Sequence, residues 1–243
     1  MSQNFFNINY EFDREAVHRA IAERIERCEP GYICVADGVI LDTANRNPEY
    51  REVVNGSMFS ICDSSYVPLY IRLIHGIKLK QYSGFEIFDD IVRSRRYRMM
   101  FLGASSEVLE ALQKNLEERN PDVRDMNFFE LPFCEADGFD YPEIARMVDE
   151  DGAEIIWVAL GAPKQEYFMN RLLPHLSRGV MIAVGAAFKF HSGLKVNRAP
   201  EWMVRHHLEF MHRIWKEPRK QVARCASIIS SLPRILAGEI RKK

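Results

Sequence analysis

The chain has 243 residues, of which 47% are hydrophobic and 28% charged, and its 33 Lys and Arg residues nearly balance its 34 Asp and Glu residues. This composition is typical of a soluble globular protein that can bury a sizeable α/β core, and the near-zero net charge gives no overall indication of nucleic-acid binding. The five cysteines lack zinc or redox spacing, and no apolar run reaches membrane-spanning length. We therefore expect reduced thiols and a cytoplasmic location, without a signal peptide.

Strand and helix patterns alternate along the first 185 residues. Apolar residues recur on one side of residues 13–27, which predicts an outer amphipathic helix. Strands are predicted over residues 32–36, 57–62, 97–103, 154–160 and 179–185, and helices over residues 48–54, 66–75, 85–95, 106–119 and 141–151 and from residue 164. This alternation predicts a Rossmann-like α/β fold, in which helices flank a mostly parallel sheet.

A strand, a tight turn and a helix start meet at Gly161. Pro163 supplies the φ favoured at a first helical position, and Lys164, Gln165 and Glu166 fill the first turn with polar groups. In open α/β sheets, ligands bind where the carboxyl ends of strands face helix N-terminal amides. The stretch is therefore a candidate ligand site, with a well-capped surface helix as the alternative.

The pattern changes after Val184. Residues 185–193 are expected to form a loop bounded by glycines, and residues 197–216 a long helix that ends at Glu217 and Pro218. The remaining residues are basic, with Ile and Leu interleaved, which is typical of a helix on a membrane surface or on a partner in a homo-oligomer. We predict an α/β catalytic domain over residues 1–196 and a basic helical appendage over residues 197–243, so that a chain truncated before Glu217 would stay folded.

Four motifs carry a resemblance to a known family. They are Gly161-Ala-Pro-Lys-Gln-Glu166, the stretch from Val184 to Gly193, Arg198-Ala-Pro-Glu-Trp-Met203, and Leu208-Glu-Phe-Met-His-Arg213 followed by Glu217-Pro-Arg-Lys220 and Arg224. With these four motifs in this order, the chain resembles the WecG/TagA/CpsF family of bacterial glycosyltransferases, glycosyltransferase family 26. The resemblance implies transfer of N-acetylmannosamine or a related sugar from a UDP-sugar donor to an undecaprenyl-diphosphate-linked saccharide. It also implies catalysis without a metal or other cofactor, on the inner face of the cytoplasmic membrane.

The resemblance places the family's proposed general base, an aspartate near the second strand, on Asp63. A base is needed because sugar transfer requires the acceptor hydroxyl to lose its proton. The alternative role for Asp63 is the N-cap of the helix that follows, a role that Ser64 or Ser65 could share.

Three positions depart from the family pattern. Ser64 follows Asp63 where the family usually has glycine, Ala36 and Asp37 stand where it has Thr-x-Asn, and Lys189 replaces a common aspartate. All three flank the expected sugar-nucleotide pocket. They leave a second function open, that of a non-catalytic or regulatory protein that binds a nucleotide sugar.

Arginines are expected to neutralise the departing diphosphate, because the sequence shows no evident Asp-x-Asp metal clamp. Arg213 is the catalytic candidate, although an ion pair with Glu209 competes for it. His191 could contact ribose or diphosphate, with a structural role as the alternative. The substrate-binding candidates together are Asp37, Tyr66, Gly84, Gly161, Lys164, Gln165, Glu166, Gly185, Lys189, His191, Arg198, Arg219 and Arg224.

Overall fold

The structure of the chain, a computed structural model, describes residues 2–194 and 218–242. An eight-stranded sheet forms its centre. The strands are β1 (Gln3–Phe5), β2 (Ile8–Glu11), β3 (Gly31–Ala36), β4 (Phe59–Cys62), β5 (Met99–Gly103), β6 (Asn127–Phe129), β7 (Ile155–Ala159) and β8 (Val180–Ala183). The helices are α1 (Arg14–Glu26), α2 (Gly38–Arg46), α3 (Pro48–Asn55), α4 (Val67–His75), α5 (Gly84–Ser94), α6 (Ser106–Glu117), α7 (Tyr141–Asp151), α8 (Lys164–Leu172), α9 (Ala187–His191) and α10 (Pro218–Ile240).

The sheet has the order β1-β2-β4-β3-β8-β7-β5-β6. β1 pairs antiparallel with β2, and the other neighbouring strands pair parallel. The chain winds outward from β3 to β4, crosses to the other half of the sheet at β5, and returns through β7 to β8 beside β3. This confirms the predicted α/β class and brings the carboxyl ends of β4, β3, β8 and β7 side by side, where ligands bind in sheets of this kind.

Both faces of the sheet are buried. Along β3, Ile33 and Val35 face one apolar cluster, while Cys34 and Ala36 face the other. Adjacent side chains of a strand point to opposite faces, so a strand covered by helices on both sides must be apolar at nearly every position. This requirement explains the unbroken apolar runs from which the strands were predicted.

Several local predictions differ from the structure. The β1–β2 hairpin and α2 were not predicted, and the loop expected over residues 185–193 contains the short helix α9. β3 ends at Ala36 as predicted, but the carboxylate of Asp37 caps α2, so a helix follows at once. Pro163 precedes the first residue of α8, so it lies one position before the predicted one.

The basic C-terminal helix packs closely against the rest of the chain. Ile235 is 7% exposed and belongs to the core cluster that also contains residues of α2 and α4. Glu239 is 2% exposed; it accepts a hydrogen bond of 2.8 Å from the backbone amide of Phe6 and lies 3.1 Å from Nε2 of His75. The described part of the predicted appendage is thus bound to the α/β layers, and its removal would leave apolar and polar groups without partners. The predicted boundary at residues 196 and 197 lies outside the described residues.

Candidate functional site

The loops that follow four neighbouring parallel strands lie together at the carboxyl-terminal edge of the sheet, where these strands end. Ala36 pairs with Cys62 at the ends of β3 and β4, and Val158 pairs with Ala183 near the ends of β7 and β8. The backbone amide of Asp63 donates to the carbonyl of Ala36 at 3.0 Å. Since neighbouring strands lie about 5 Å apart, the predicted residues after these strands meet along this edge.

Asp63 is held between β4 and the start of α5. Its Oδ1 accepts a hydrogen bond of 2.9 Å from the amide of Gly84, and its carbonyl accepts one of 3.1 Å from Nε2 of Gln81. It does not cap the helix that follows it, because α4 begins after Tyr66 without a side-chain cap. The carboxylate is partly exposed and fixed in direction, which are requirements for a group that takes a proton from a bound substrate.

Gly84 allows α5 to approach the sheet closely. A Cβ atom at this position would lie 3.0 Å from Cγ1 of Val35 on β3, a distance at which the neighbouring side chain would have to shift. The residue therefore brings the first amide of α5 within reach of Asp63. Its predicted role in lining the sugar pocket stays a prediction.

Asp37 serves as the N-cap of α2. Its Oδ1 accepts hydrogen bonds from the amides of Val39 at 2.9 Å and Ile40 at 3.0 Å. Capping at this position stabilises a helix by roughly 1 kcal/mol, so the residue has a structural role besides the substrate contact predicted for it.

Gln165 and Glu166 form a buried network with Tyr50 of α3. The hydroxyl of Tyr50 donates to Glu166 Oε2 at 3.0 Å, and Nε2 of Gln165 donates to Glu166 Oε1 at 2.9 Å. Gln165 Oε1 in turn accepts a bond of 3.0 Å from the amide of Gly161. Gln165 is 4% exposed and Glu166 is fully buried. In this arrangement the two side chains fix the Gly161 turn from inside, and their expected hydrogen bonds to a nucleotide stay a prediction.

Burial raises the pKa of Glu166 to about 7. Removal from water disfavours the charged carboxylate and outweighs the bonds from Gln165 and Tyr50, which favour it, while the negative charge of Asp37 adds to the increase. Tyr50 was not predicted as part of the site, because 116 residues separate it from Glu166 and no local pattern connects them.

Gly185 follows β8 and lies against the same network. Its φ of 50° falls in the left-handed region that glycine adopts readily. A Cβ atom here would lie 3.4 Å from Gln165 Oε1. The Gly161 and Gly185 turns, predicted separately as ligand contacts, therefore meet at one side chain.

The ring of His191 lies in a buried position behind the edge. It stacks on Phe85, with ring centroids 4.3 Å apart, and its Nδ1 lies 2.9 Å from Nη1 of Arg119. The guanidinium can only donate, so Nδ1 accepts and the neutral ring carries its proton on Nε2. His191 is 3% exposed, which favours the structural alternative over a direct ligand contact.

The remaining described candidates are more accessible. Lys189 is exposed on α9, and Tyr66 is 38% exposed and stacks on Tyr70. The ammonium of Lys164 lies over the rings of Phe133 and Phe139, at 5.5 and 5.3 Å from their centroids. Arg224 is partly exposed on α10. Arg198, Arg213 and the side chain of Arg219 lie outside the described residues.

The cysteines at this edge are not placed as nucleophiles. Cys34 and Cys62 are fully buried, and burial raises the pKa of both thiols, that of Cys62 to about 12. A thiol with so high a pKa holds almost no thiolate near neutral pH. Within residues 2–194 and 218–242, no three His, Cys, Asp or Glu side chains are grouped as a metal site would require.

None of the described helices combines the length and the apolar character that crossing a bilayer requires. The polar groups that are at least partly exposed at this edge include the carboxylates of Asp37 and Asp63 and two cations, Lys164 and Lys189, on the helices that follow β7 and β8. A carboxylate and cations at one edge of a parallel sheet suit proton removal and the binding of an anionic leaving group.

Known proteins that are similar to this chain are named as glycosyltransferases. The chain is 25% identical to the N-acetylglucosaminyldiphosphoundecaprenol N-acetyl-beta-D-mannosaminyltransferase of Bacillus subtilis strain 168 over 215 residues, which are 83% of this chain and 81% of the relative. It is 24% identical to the protein of the same name from Staphylococcus aureus strain MW2 over 206 residues, which are 81% of this chain and 76% of the relative. A sequence model described as the glycosyl transferase WecG/TagA/CpsF family matches residues 4–243, and the chain therefore belongs to this family.

Proposed function

We propose that the chain transfers a sugar, N-acetylmannosamine or a relative, from a UDP-sugar to a saccharide linked to polyprenyl diphosphate. Its curated relatives are named for transfer to N-acetylglucosaminyldiphosphoundecaprenol. The observation that carries the proposal is Asp63, whose carboxylate is anchored through Oδ1 at the edge of the sheet and is partly exposed.

Asp63 is the general base in this reaction. It accepts the proton of the acceptor hydroxyl as that oxygen bonds to the anomeric carbon of the donor. The bond between this carbon and the β-phosphate oxygen breaks, and UDP leaves with the electron pair. Such proton transfer contributes about a hundredfold or more in rate.

Cations stabilise the leaving diphosphate, and we propose that no metal is needed. Arg213 is the catalytic candidate, with Arg198, Arg219 and Arg224 binding phosphate oxygens, because guanidinium groups match their geometry. Lys164 and Lys189 stand at the described edge and add positive charge near the donor.

We further propose that the protein works at the anionic inner face of the cytoplasmic membrane, where a polyprenyl-linked acceptor is held. Three apolar side chains of α10 support this contact: Val222, Ile229 and Ile240 are 53%, 68% and 57% exposed. Arg234 is exposed on the same helix, and Arg241 is exposed directly after its end. Each cation near such a surface contributes about 1 kcal/mol.

A release assay for UDP tests the proposed reaction. The full chain is incubated with UDP-sugars and a short-chain, water-soluble diphosphate-linked N-acetylglucosamine acceptor. We expect acceptor-dependent UDP release that falls by at least about a hundredfold in Asp63→Asn, while the exposed-residue control Glu110→Gln keeps wild-type activity. Full activity of Asp63→Asn would refute the assignment of the base.

The departures at Asp37, Ser64 and Lys189 favour one other function, the binding of a nucleotide sugar without catalysis. A thermal-shift screen across UDP-, GDP- and CMP-sugars identifies the ligand class, because a ligand of the native state raises the melting temperature. Stabilisation by a UDP-sugar without UDP release under any acceptor would support the non-catalytic function.

A further inference from the structure

The outward side of α4 is apolar although it is not packed against the described core. Leu69 and Leu73, one helical turn apart, are 46% and 74% exposed, and Ile77, just after the helix, is 40% exposed. The inward side of the same helix fully buries Val67 and Ile71. The helix is thus apolar on two sides, and burial in the core accounts for only one of them.

Positive charge borders this apolar strip. The segment of residues 64–85 contains Arg72, Lys78 and Lys80 and has neither Asp nor Glu. All three cations are exposed. Glu239 of α10 meets the end of α4 at His75, but it is 2% exposed and so adds no negative charge to the surface.

The α4 segment leaves the sheet at Asp63 and returns to it. Val67, the first residue of α4, comes four positions after Asp63. At the other end of the segment, Gln81 donates to the carbonyl of Asp63 and the Gly84 amide donates to its carboxylate, at 3.1 and 2.9 Å. A surface that holds α4 therefore holds the segment that surrounds the proposed base.

We propose that Leu69, Leu73 and Ile77, with the cations Arg72, Lys78 and Lys80, form a surface that docks on an anionic phospholipid bilayer. This inference rests on the proposed lipid-linked acceptor and adds a second contact beside α10. The apolar side chains enter the boundary of the acyl chains, and the cations face the phosphate headgroups. The acceptor then reaches Asp63 along α4, without leaving the bilayer.

The charge of the segment also decides between the bilayer and a second copy of the chain. A two-fold interface places the same surface of two copies together. Across α4 it would bring six cations into one interface, with no carboxylate from either 64–85 segment to pair with them, which is electrostatically unfavourable. An anionic lipid surface satisfies the same cations.

Co-sedimentation with vesicles tests the proposal on the full chain. Wild type, Leu69→Ser/Leu73→Ser and Lys78→Gln/Lys80→Gln are mixed with phosphatidylglycerol vesicles or with phosphatidylcholine vesicles at moderate salt. The control is Phe133→Ser, which removes a fully exposed apolar side chain from the loop after β6, the last strand in the sheet order, with β3, β8, β7 and β5 between it and β4. Melting temperatures verify that each variant is folded, and gel filtration without lipid gives its oligomeric state.

We expect wild type and Phe133→Ser to bind phosphatidylglycerol vesicles alike, and each double variant to bind them at least about tenfold more weakly. Activity on the water-soluble acceptor should stay at the wild-type level in the two double variants, which separates this inference from the proposed reaction. Wild-type vesicle binding by folded Leu69→Ser/Leu73→Ser would overturn the proposal. So would a smaller oligomer in that variant alone, since it would assign the surface to contact between copies.

Discussion

Replacing Glu166 with glutamine should change how the stability of the fold depends on pH. Glu166 is fully buried, and its pKa is raised from the ordinary 4.5 to about 7. The folded state is therefore more stable when the carboxyl of Glu166 is neutral than when it is ionised. Its stabilising contribution is complete below pH 4.5 and is lost as the pH rises through 7.

The size of this effect follows from the pKa change. One pKa unit corresponds to about 1.4 kcal/mol, so ionised Glu166 costs the folded state about 3 kcal/mol relative to the unfolded chain. Part of this cost is already present at pH 5. Between pH 5 and pH 8, the free energy of unfolding of the wild type should fall by about 2 to 3 kcal/mol relative to Glu166→Gln, which cannot ionise.

Glu166→Gln also changes the free energy of unfolding by an amount that does not depend on pH. The new amide can accept from Tyr50 but places an NH2 group near Nε2 of Gln165, which is also a donor. This conflict lowers the stability of the variant at every pH. It does not affect how the free energy of unfolding changes with pH, so the comparison across pH isolates the ionisation of Glu166.

Urea unfolding followed by tryptophan fluorescence at pH 5, 6, 7 and 8 measures the difference. Glu110→Gln serves as the control, because it makes the same chemical change at an exposed position of α6. A stability difference between wild type and Glu166→Gln that is constant across this range would show that Glu166 does not have a raised pKa in the folded state.

Two further substitutions test the role of Lys189 in donor choice and the packing of α10. If Lys189 contacts the donor and favours an acidic sugar or a further phosphate, Lys189→Asp should change the ranking of donors in a competition assay. The control Lys114→Asp, an exposed charge reversal on α6, should leave the ranking unchanged. An unchanged ranking in Lys189→Asp would show that Lys189 has no role in donor choice. Ile235→Ala should lower the free energy of unfolding by about 2 to 4 kcal/mol in a urea titration, because the residue is 7% exposed in the core. Ile229→Ala on the same helix, where the side chain is 68% exposed, should change it by less than about 0.5 kcal/mol. Equal losses in the two variants would contradict the packing of α10.

The fold was predictable where the pattern of a single segment determines its structure. Strands such as β7 are buried on both faces and therefore read as continuous apolar runs. The hairpin was missed because β1 and β2 have three and four residues and include several polar side chains. Helix α9 was missed because Gly185 and Gly193 indicated a loop, although the residues between them are compatible with one helical turn.

The candidate site was predictable only in part. The ends of parallel strands must meet at one edge, so the proximity of Asp37, Asp63, Gly161 and Gly185 follows from the order of elements and from the family resemblance. The contact of Tyr50 with Glu166 does not, because it depends on how α3 and α8 pack. Likewise, the sequence did not indicate which carboxylates are accessible and which are buried.

The hydrogen bond from the Phe6 amide to Glu239 has a consequence for how the chain is made. It joins residues 233 positions apart, and Lys242 adds a bond to Asn7 beside it. Because the ribosome delivers the chain in the direction from β1 to α10, the β1–β2 hairpin is synthesised before α10, and the buried amide of Phe6 in its turn obtains this acceptor only when the last turn of α10 has been translated. Contacts of such separation form slowly, so the hairpin turn is without this partner until α10 has docked. The last turn of α10 therefore completes the hydrogen bonding of a turn that was made 233 positions earlier.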